Sequence, residues 1–238
     1  MNDKNKKVEG FYFNEQGTPY TSVTQVLGII DKSRPLMYWA MEIMFYGVKA
    51  NPEIKFEEAR ALPFASNKSA KDRGSTIHSF VEAYKKGHPI PLKDVPPQFK
   101  PFATAFNSWA TTNDVEIVSQ EKTLYSNKYQ YAGTYDMVAK LNGKGEVWLI
   151  DIKTGKQVYD EVELQLSAYK AALEENGQPI DKLGVVLLKE DGDFIFEEKT
   201  SKYNLEAFLA AKKLWEWKNK NLVKKIMETY QSKQLVMN

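Results

Sequence analysis

The stretch from Tyr131 to Tyr169 constrains this chain most. At its centre Asn142-Gly143-Lys144-Gly145 is a hairpin turn signal. The runs on either side are rich in β-branched, aromatic and aliphatic residues. They read as two antiparallel strands, roughly Gln130–Leu141 and Glu146–Lys153. A two-residue turn at Gly143–Lys144 opposes Asp136 with Asp151; a turn at Asn142–Gly143 slides the pairing by two and makes them diagonal neighbours. Either register leaves the two carboxylates on one face, roughly 5–8 Å apart, whereas a bulge or a three-residue loop would separate them. Lys153 joins that face because strand side chains alternate with period two.

Adjacent carboxylates repel, and a cation between them removes the penalty. Hard oxygen ligands at this spacing suit Mg²⁺, which needs only one or two protein carboxylates. Lys153 adds a positive charge where an anionic oxygen would be positioned. The plainer alternative is an exposed Asp–Lys pair on a surface strand. Against it, Val147, Trp148, Leu149, Ile150 and Ile152 make the second strand apolar on both faces, as in a central buried strand.

A helix is expected next, over roughly Tyr159–Glu175. Its apolar stripe reads Val162, Gln165, Leu166, Tyr169, Ala172 and Leu173. Gln165 and Tyr169 thus sit one turn apart inside a buried face, where an amide needs partners.

Upstream, Phe11–Phe13 and Pro19–Thr21 suggest a short hairpin around Gly17, followed by a helix capped by Thr21 or Ser22. The helix expected over Leu36–Ala50 is dense in Met37, Tyr38, Trp39, Met41, Met44, Phe45 and Tyr46. It reads as core, with a base-stacking surface as the alternative. Residues 51–71 read as polar and irregular, broken at Pro63. A helix from near Ala70 to Lys86 carries the stripe Ile77, Phe80, Val81, Tyr84, with His78 and Glu82 one turn apart on its edge. His88 lies in a turn. A helix around Phe99–Thr112 and a strand over Val115–Tyr125 follow; Glu121 on that strand is a further candidate acid. Downstream come a strand at Leu183–Leu188, a turn at Asp191–Gly192, a return strand at Asp193–Glu198 and helices from Asn204. Lys212, Lys213, Lys218, Lys220, Lys224 and Lys225 surround Trp215 and Trp217. They read as a solvated face, with a nucleic-acid surface as the alternative.

The 238 residues, 42% of them hydrophobic, suit one α/β domain: a mixed sheet of about five strands with helices in front and a C-terminal helical extension. Residues 1–113 form its mainly helical part, 114–200 the sheet core and 201–238 the final helices. The absence of cysteine excludes disulfides, thiolate zinc sites and an iron–sulfur cluster. No apolar run is long enough for a membrane span. The N-terminus has no signal-like core and reads as a short frayed end, so a cytoplasmic protein is expected. With a net charge of only +2, any nucleic-acid contact must come from a local patch.

Three motifs together carry a family resemblance: Gly133-Thr134-Tyr135-Asp136, Asp151-Ile152-Lys153-Thr154-Gly155, and Gln165 with Tyr169. They resemble the RecB-type branch of the PD-(D/E)XK nuclease superfamily, which also carries an upstream histidine in the setting seen at Gly74–His78. Residues 20–27 and 36–40 resemble the N-terminal part of phage-type and mitochondrial genome-maintenance exonucleases. Tyr135 stands where the superfamily's name has proline, a departure common in this branch. The resemblance implies a restriction-endonuclease-like α/β core and a DNA exonuclease acting in phage or prokaryotic DNA processing, recombination or repair. It further implies that His78, Asp136, Asp151 and the backbone carbonyl of Ile152 bind one or two Mg²⁺ or Mn²⁺ ions. Lys153 would position or activate the attacking water, and Gln165 and Tyr169 would order the site. The expected partner is DNA, single-stranded or with a free end. The alternatives are a structure-selective or sequence-specific endonuclease of the same fold, a catalytically silent DNA-binding module, and a metal-dependent protein acting on another substrate.

Overall fold

The computed structural model describes residues 9–84, 88–200, 202 and 204–237, with side chains described as far as residue 229. The N-terminal end, the expected helix end at Lys86 and the side chain of Tyr230 lie outside that range.

The expected hairpin forms as strands β4 (Tyr131–Lys140) and β5 (Val147–Lys153), antiparallel. Asn142 and Gly143 both take positive φ, and Lys144 N–H donates to the Leu141 carbonyl, which closes a tight turn there. The ladder register nevertheless pairs Met137 with Ile150, the register expected for a turn at Gly143–Lys144. Gly145 and Glu146 lengthen the second arm and absorb the difference. On this register Asp136 faces Asp151.

Among the described residues the sheet has seven strands rather than about five. β1 (Phe11–Phe13) and β2 (Pro19–Ser22) form an N-terminal ribbon, and β2 joins β4 in parallel at Thr21↔Tyr131 and Ser22↔Ala132. β3 (Glu116–Ser126) runs antiparallel along the whole of β4. A strand has only two edges, so β2 and β5 share the other one: β2 at the start of β4, β5 at its end. The sheet therefore splits over Gly133–Asp136. β6 (Lys182–Leu188) is parallel to β5, and β7 (Phe194–Lys199) closes the far side.

Ser22 caps helix α1 (Val23–Leu27) by accepting the Gln25 N–H. α2 (Ser33–Ala50) and α3 (Phe56–Glu82) form a helical pair, α4 (Lys100–Thr112) follows, α5 (Glu161–Glu175) crosses between β5 and β6, and α6 (Asn204–Lys218) and α7 (Lys220–Met237) end the chain. α4 buries Phe102, Phe106 and Trp109 against Trp148, Ile150 and Ile152 of β5. α5 covers the opposite face, where Leu149 packs with Val162, Leu166 and Tyr169. Helices on both faces explain why β5 is apolar on both.

Two expectations fail in the helical region. Residues 56–71 are helical through Pro63, which is itself buried. Pro63 lies in the third turn, where its ring removes one N–H but the rest of the helix continues. α2 is not core: none of its residues is buried, and Met41 is 58% and Phe45 63% exposed. Its composition suited a core, but α3 covers only one flank of it. Among the C-terminal residues Lys212 and Trp215 are buried, the latter edge-on to Phe11, while Trp217 is exposed. Among the described residues no helix is long and apolar enough to cross a membrane.

Candidate active site

The split in the sheet is where the polar residues gather. β4 loses its ladder partner on the β5 side before Asp136, and the side chain substitutes for it: Asp136 Oδ2 accepts the Ile152 N–H at 2.7 Å. The N–H and C=O of one strand residue point to the same edge, so the Ile152 carbonyl opens on the same gap. Asp151 takes a position on the α5 face that the pattern of β5 reserves for core residues, and it is only 3% exposed. Its Oδ2 forms an ion pair with Lys153 Nζ at 2.7 Å.

β3 and α3 complete the cluster. The pairs Gln120↔Met137 and Lys122↔Tyr135 bracket Glu121 and Asp136, which thus face each other across the ladder. Glu121 is held at φ 49°, a left-handed conformation that costs a non-glycine residue about 1–3 kcal/mol. That twist aims its carboxylate at His78, with Oε1 at 3.0 Å from Nδ1. The same imidazole nitrogen is 3.7 Å from Asp136 Oδ1. His78, Glu121 and Asp136 each offer an atom within 4.8 Å of the others, a spacing that fits one metal ion.

The electrostatics reflect surplus negative charge. Burial and the neighbouring Asp151 push the Asp136 carboxyl up to about 7, against the pull of His78, Lys153 and the Ile152 N–H. Burial alone would lower the His78 pKa, but the Glu121 hydrogen bond and the charges of Asp136, Glu121 and Asp151 raise it to about 9. Burial likewise opposes the charge on Lys153, and Asp151 and Asp136 override it, raising its pKa. The three carboxylates of Glu121, Asp136 and Asp151, with the His78 imidazole, are a donor set fitted to a divalent cation.

Tyr169 reaches the site from α5. A Cβ on Gly133 would stand 2.6 Å from Cε1 of its ring, so glycine is what admits the tyrosine. Burial and the charges of Asp136, Tyr12 and Asp151 hold the Tyr169 hydroxyl well above its ordinary pKa, and Gln165 hydrogen-bonds to it. Gln165 is half-buried rather than sealed inside the apolar face, because it lines an open groove beside Lys153. Glu82 is exposed on the wall of the cavity that His78 and Glu121 line, and is not part of the cluster. His88 is exposed. The expected residues His78, Asp136, Asp151 and Lys153 thus come together, and Glu121 belongs with them. Lys32 and Glu161, an ion pair at the groove beside Lys153, had no local signal in the sequence.

The family model of the PD-(D/E)XK nuclease superfamily matches residues 99–233. PD-(D/E)XK nucleases use divalent metals, in keeping with the donor set. Among solved structures the chain is similar to a presumed exonuclease from Eubacterium rectale at 14% identity, covering 90% of this chain and 82% of that one, with a TM-score of 0.44. It is also similar to an alkaline exonuclease from Laribacter hongkongensis at 12% identity, covering 86% and 94% respectively, with a TM-score of 0.39. Likeness at this level carries no functional weight. No curated protein matches the sequence. The family match takes in Glu121, both aspartates of the sheet split and Lys153, and it spans more than half of the chain, which belongs to the PD-(D/E)XK nuclease superfamily.

Proposed function

We propose that the chain is a divalent-metal-dependent DNA exonuclease of the RecB-type branch. The observation that carries this reading is the convergence of His78, Glu121, Asp136 and Asp151 beside Lys153 at the sheet split. His78, Asp136, Asp151 and the carbonyl of Ile152 would hold Mg²⁺ or Mn²⁺, with Glu121 as a further acid. When bound, the ion supplies positive charge that offsets the charge building on the phosphate in hydrolysis.

The chain's own residues do the rest. Lys153 is kept charged by Asp151 and Asp136 and faces a scissile phosphate oxygen or the incoming water. Asp136 is fixed by the Ile152 N–H and cannot swing away. Tyr169, seated on Gly133, keeps α5 against the split and presents Gln165 towards the DNA backbone. None of these contacts reads a base edge, so little sequence preference is expected.

The aromatic face of α2 supports a strand-handling role. Tyr38, Phe45 and Tyr46 are solvent-exposed, and the first turn of the helix opens on the groove beside Lys153. Stacking on such side chains suits unpaired bases.

The test is incubation of a linear single strand beside a covalently closed single-stranded circle of equal length, with Mg²⁺, Mn²⁺ or EDTA. Metal-dependent loss of the linear strand alone is expected. Equal loss of both makes the protein an endonuclease with the same site, and no loss with either metal removes the nuclease reading.

A further inference from the structure

A groove with a cavity volume of about 780 Å³ lies between the α1–α2 connection and the start of α5. It shares Lys153 and Gln165 with the site, so whatever fills it is next to the group at Lys153. The apolar side chains of Leu27, Ile30 and Val162 line it together with Lys32 and Lys218, and Asp31 shares its wall. Apolar side chains beside ammonium groups suit a base and sugar with their phosphate.

Lys32 is not idle there. Its ammonium pairs with Glu161 at the first turn of α5. The two side chains are 41% and 21% exposed, so the pair is open to competition from a solvent-borne anion. Glu161 is close enough to Lys153 to act on its charge.

We propose that this groove binds the nucleotide adjoining the scissile phosphate, and that a backbone phosphate of the substrate displaces Glu161 from Lys32 as it enters. This rests on the nuclease reading for the identity of the ligand. Tyr159, 57% exposed, lines the groove as a stacking partner for the base.

The proposal gives the two halves of one ion pair opposite effects. Lys32→Ala removes the phosphate contact and weakens binding. Glu161→Gln frees Lys32 from its competitor and tightens binding. A pair that only braced α5 against the α1–α2 connection would shift both variants the same way.

The experiment is fluorescence anisotropy of a labelled short oligothymidylate with the full chain in EDTA, which removes cleavage from the measurement. Lys32→Ala and Tyr159→Ala are each expected to weaken binding about tenfold, in the range of one phosphate or stacking contact. Glu161→Gln is expected to tighten it severalfold, and Lys189→Ala, at the β6–β7 turn, to match wild type. Melting curves in the same buffer confirm that each variant is folded; Tyr159→Ala, at an exposed side chain, keeps the groove testable if a Lys32 or Glu161 variant is not. Weakening by both Lys32→Ala and Glu161→Gln overturns the displacement. Wild-type affinity in Lys32→Ala and Tyr159→Ala, or no binding by wild type, overturns the groove. If the oligonucleotide binds as expected but no metal supports cleavage, the nuclease reading fails and the groove stands.

Discussion

Asp151 concentrates the energetics of the site in one side chain. It is buried beside the like charge of Asp136, a repulsion that its ion pair with Lys153 offsets only in part and that costs the metal-free fold. Asp151→Asn is expected to abolish cleavage while the melting temperature in EDTA stays level or rises. Retained cleavage in that variant would dismiss the metal assignment. Asp136→Ala is expected to lose cleavage as well. The raised pKa values give a second expectation. Without metal, Asp136 keeps its proton up to about pH 7 and His78 up to about pH 9. A divalent ion must displace those protons, so Mg²⁺ affinity is expected to rise about tenfold or more from pH 6.5 to 8.5. Titration calorimetry in buffers of different ionisation enthalpy reads both the affinity and the protons released. Gly133 makes a third case. Gly133→Ala drives a methyl into the Tyr169 ring and is expected to cost about 1–3 kcal/mol by denaturant melts. Combining it with Tyr169→Leu should recover much of that loss, but not the activity.

Among the elements, the β4–β5 hairpin was legible from the sequence because strand period and turn chemistry are local. They gave the shared face of Asp136, Asp151 and Lys153. The same logic placed α5 and its buried stripe within two residues. What escaped was set by distant partners. Nothing near Phe11–Ser22 says that the ribbon will join β4, and nothing local in β3 says that Glu121, a candidate acid from the sequence, will take a left-handed backbone and turn towards His78. α2 misled because apolar content signals burial only when something is there to cover it. That exposure separates stability from binding. Phe45→Ala is expected to change unfolding free energy by no more than about 0.5 kcal/mol, yet to weaken single-stranded DNA binding about tenfold, as loss of a stacking partner would. A large fall in melting temperature would instead return α2 to the core. Anisotropy and a thermal melt on the same variant decide between them.

The molecule as a whole draws its site from segments far apart in sequence. His78 comes from a helix, Glu121 from the strand laid along β4, and the aspartates from the central hairpin. β5 is held in turn by β6, which arrives only after α5. The hairpin can form early, since its contacts are local; the β2–β4 junction and the β5–β6 pairing are long-range and slow. The junction rests on only two residue pairs. Such a seam should exchange its amide hydrogens faster than the β3–β4 ladder, and hydrogen–deuterium exchange would show it. The split that houses the acids therefore acquires its last wall late. During synthesis the carboxylates and the lysine emerge ahead of β6, the strand that holds β5 on its far edge. A growing chain then carries the donor groups before the pairing that fixes their spacing, and they can hold an ion together only once β6 has docked on β5.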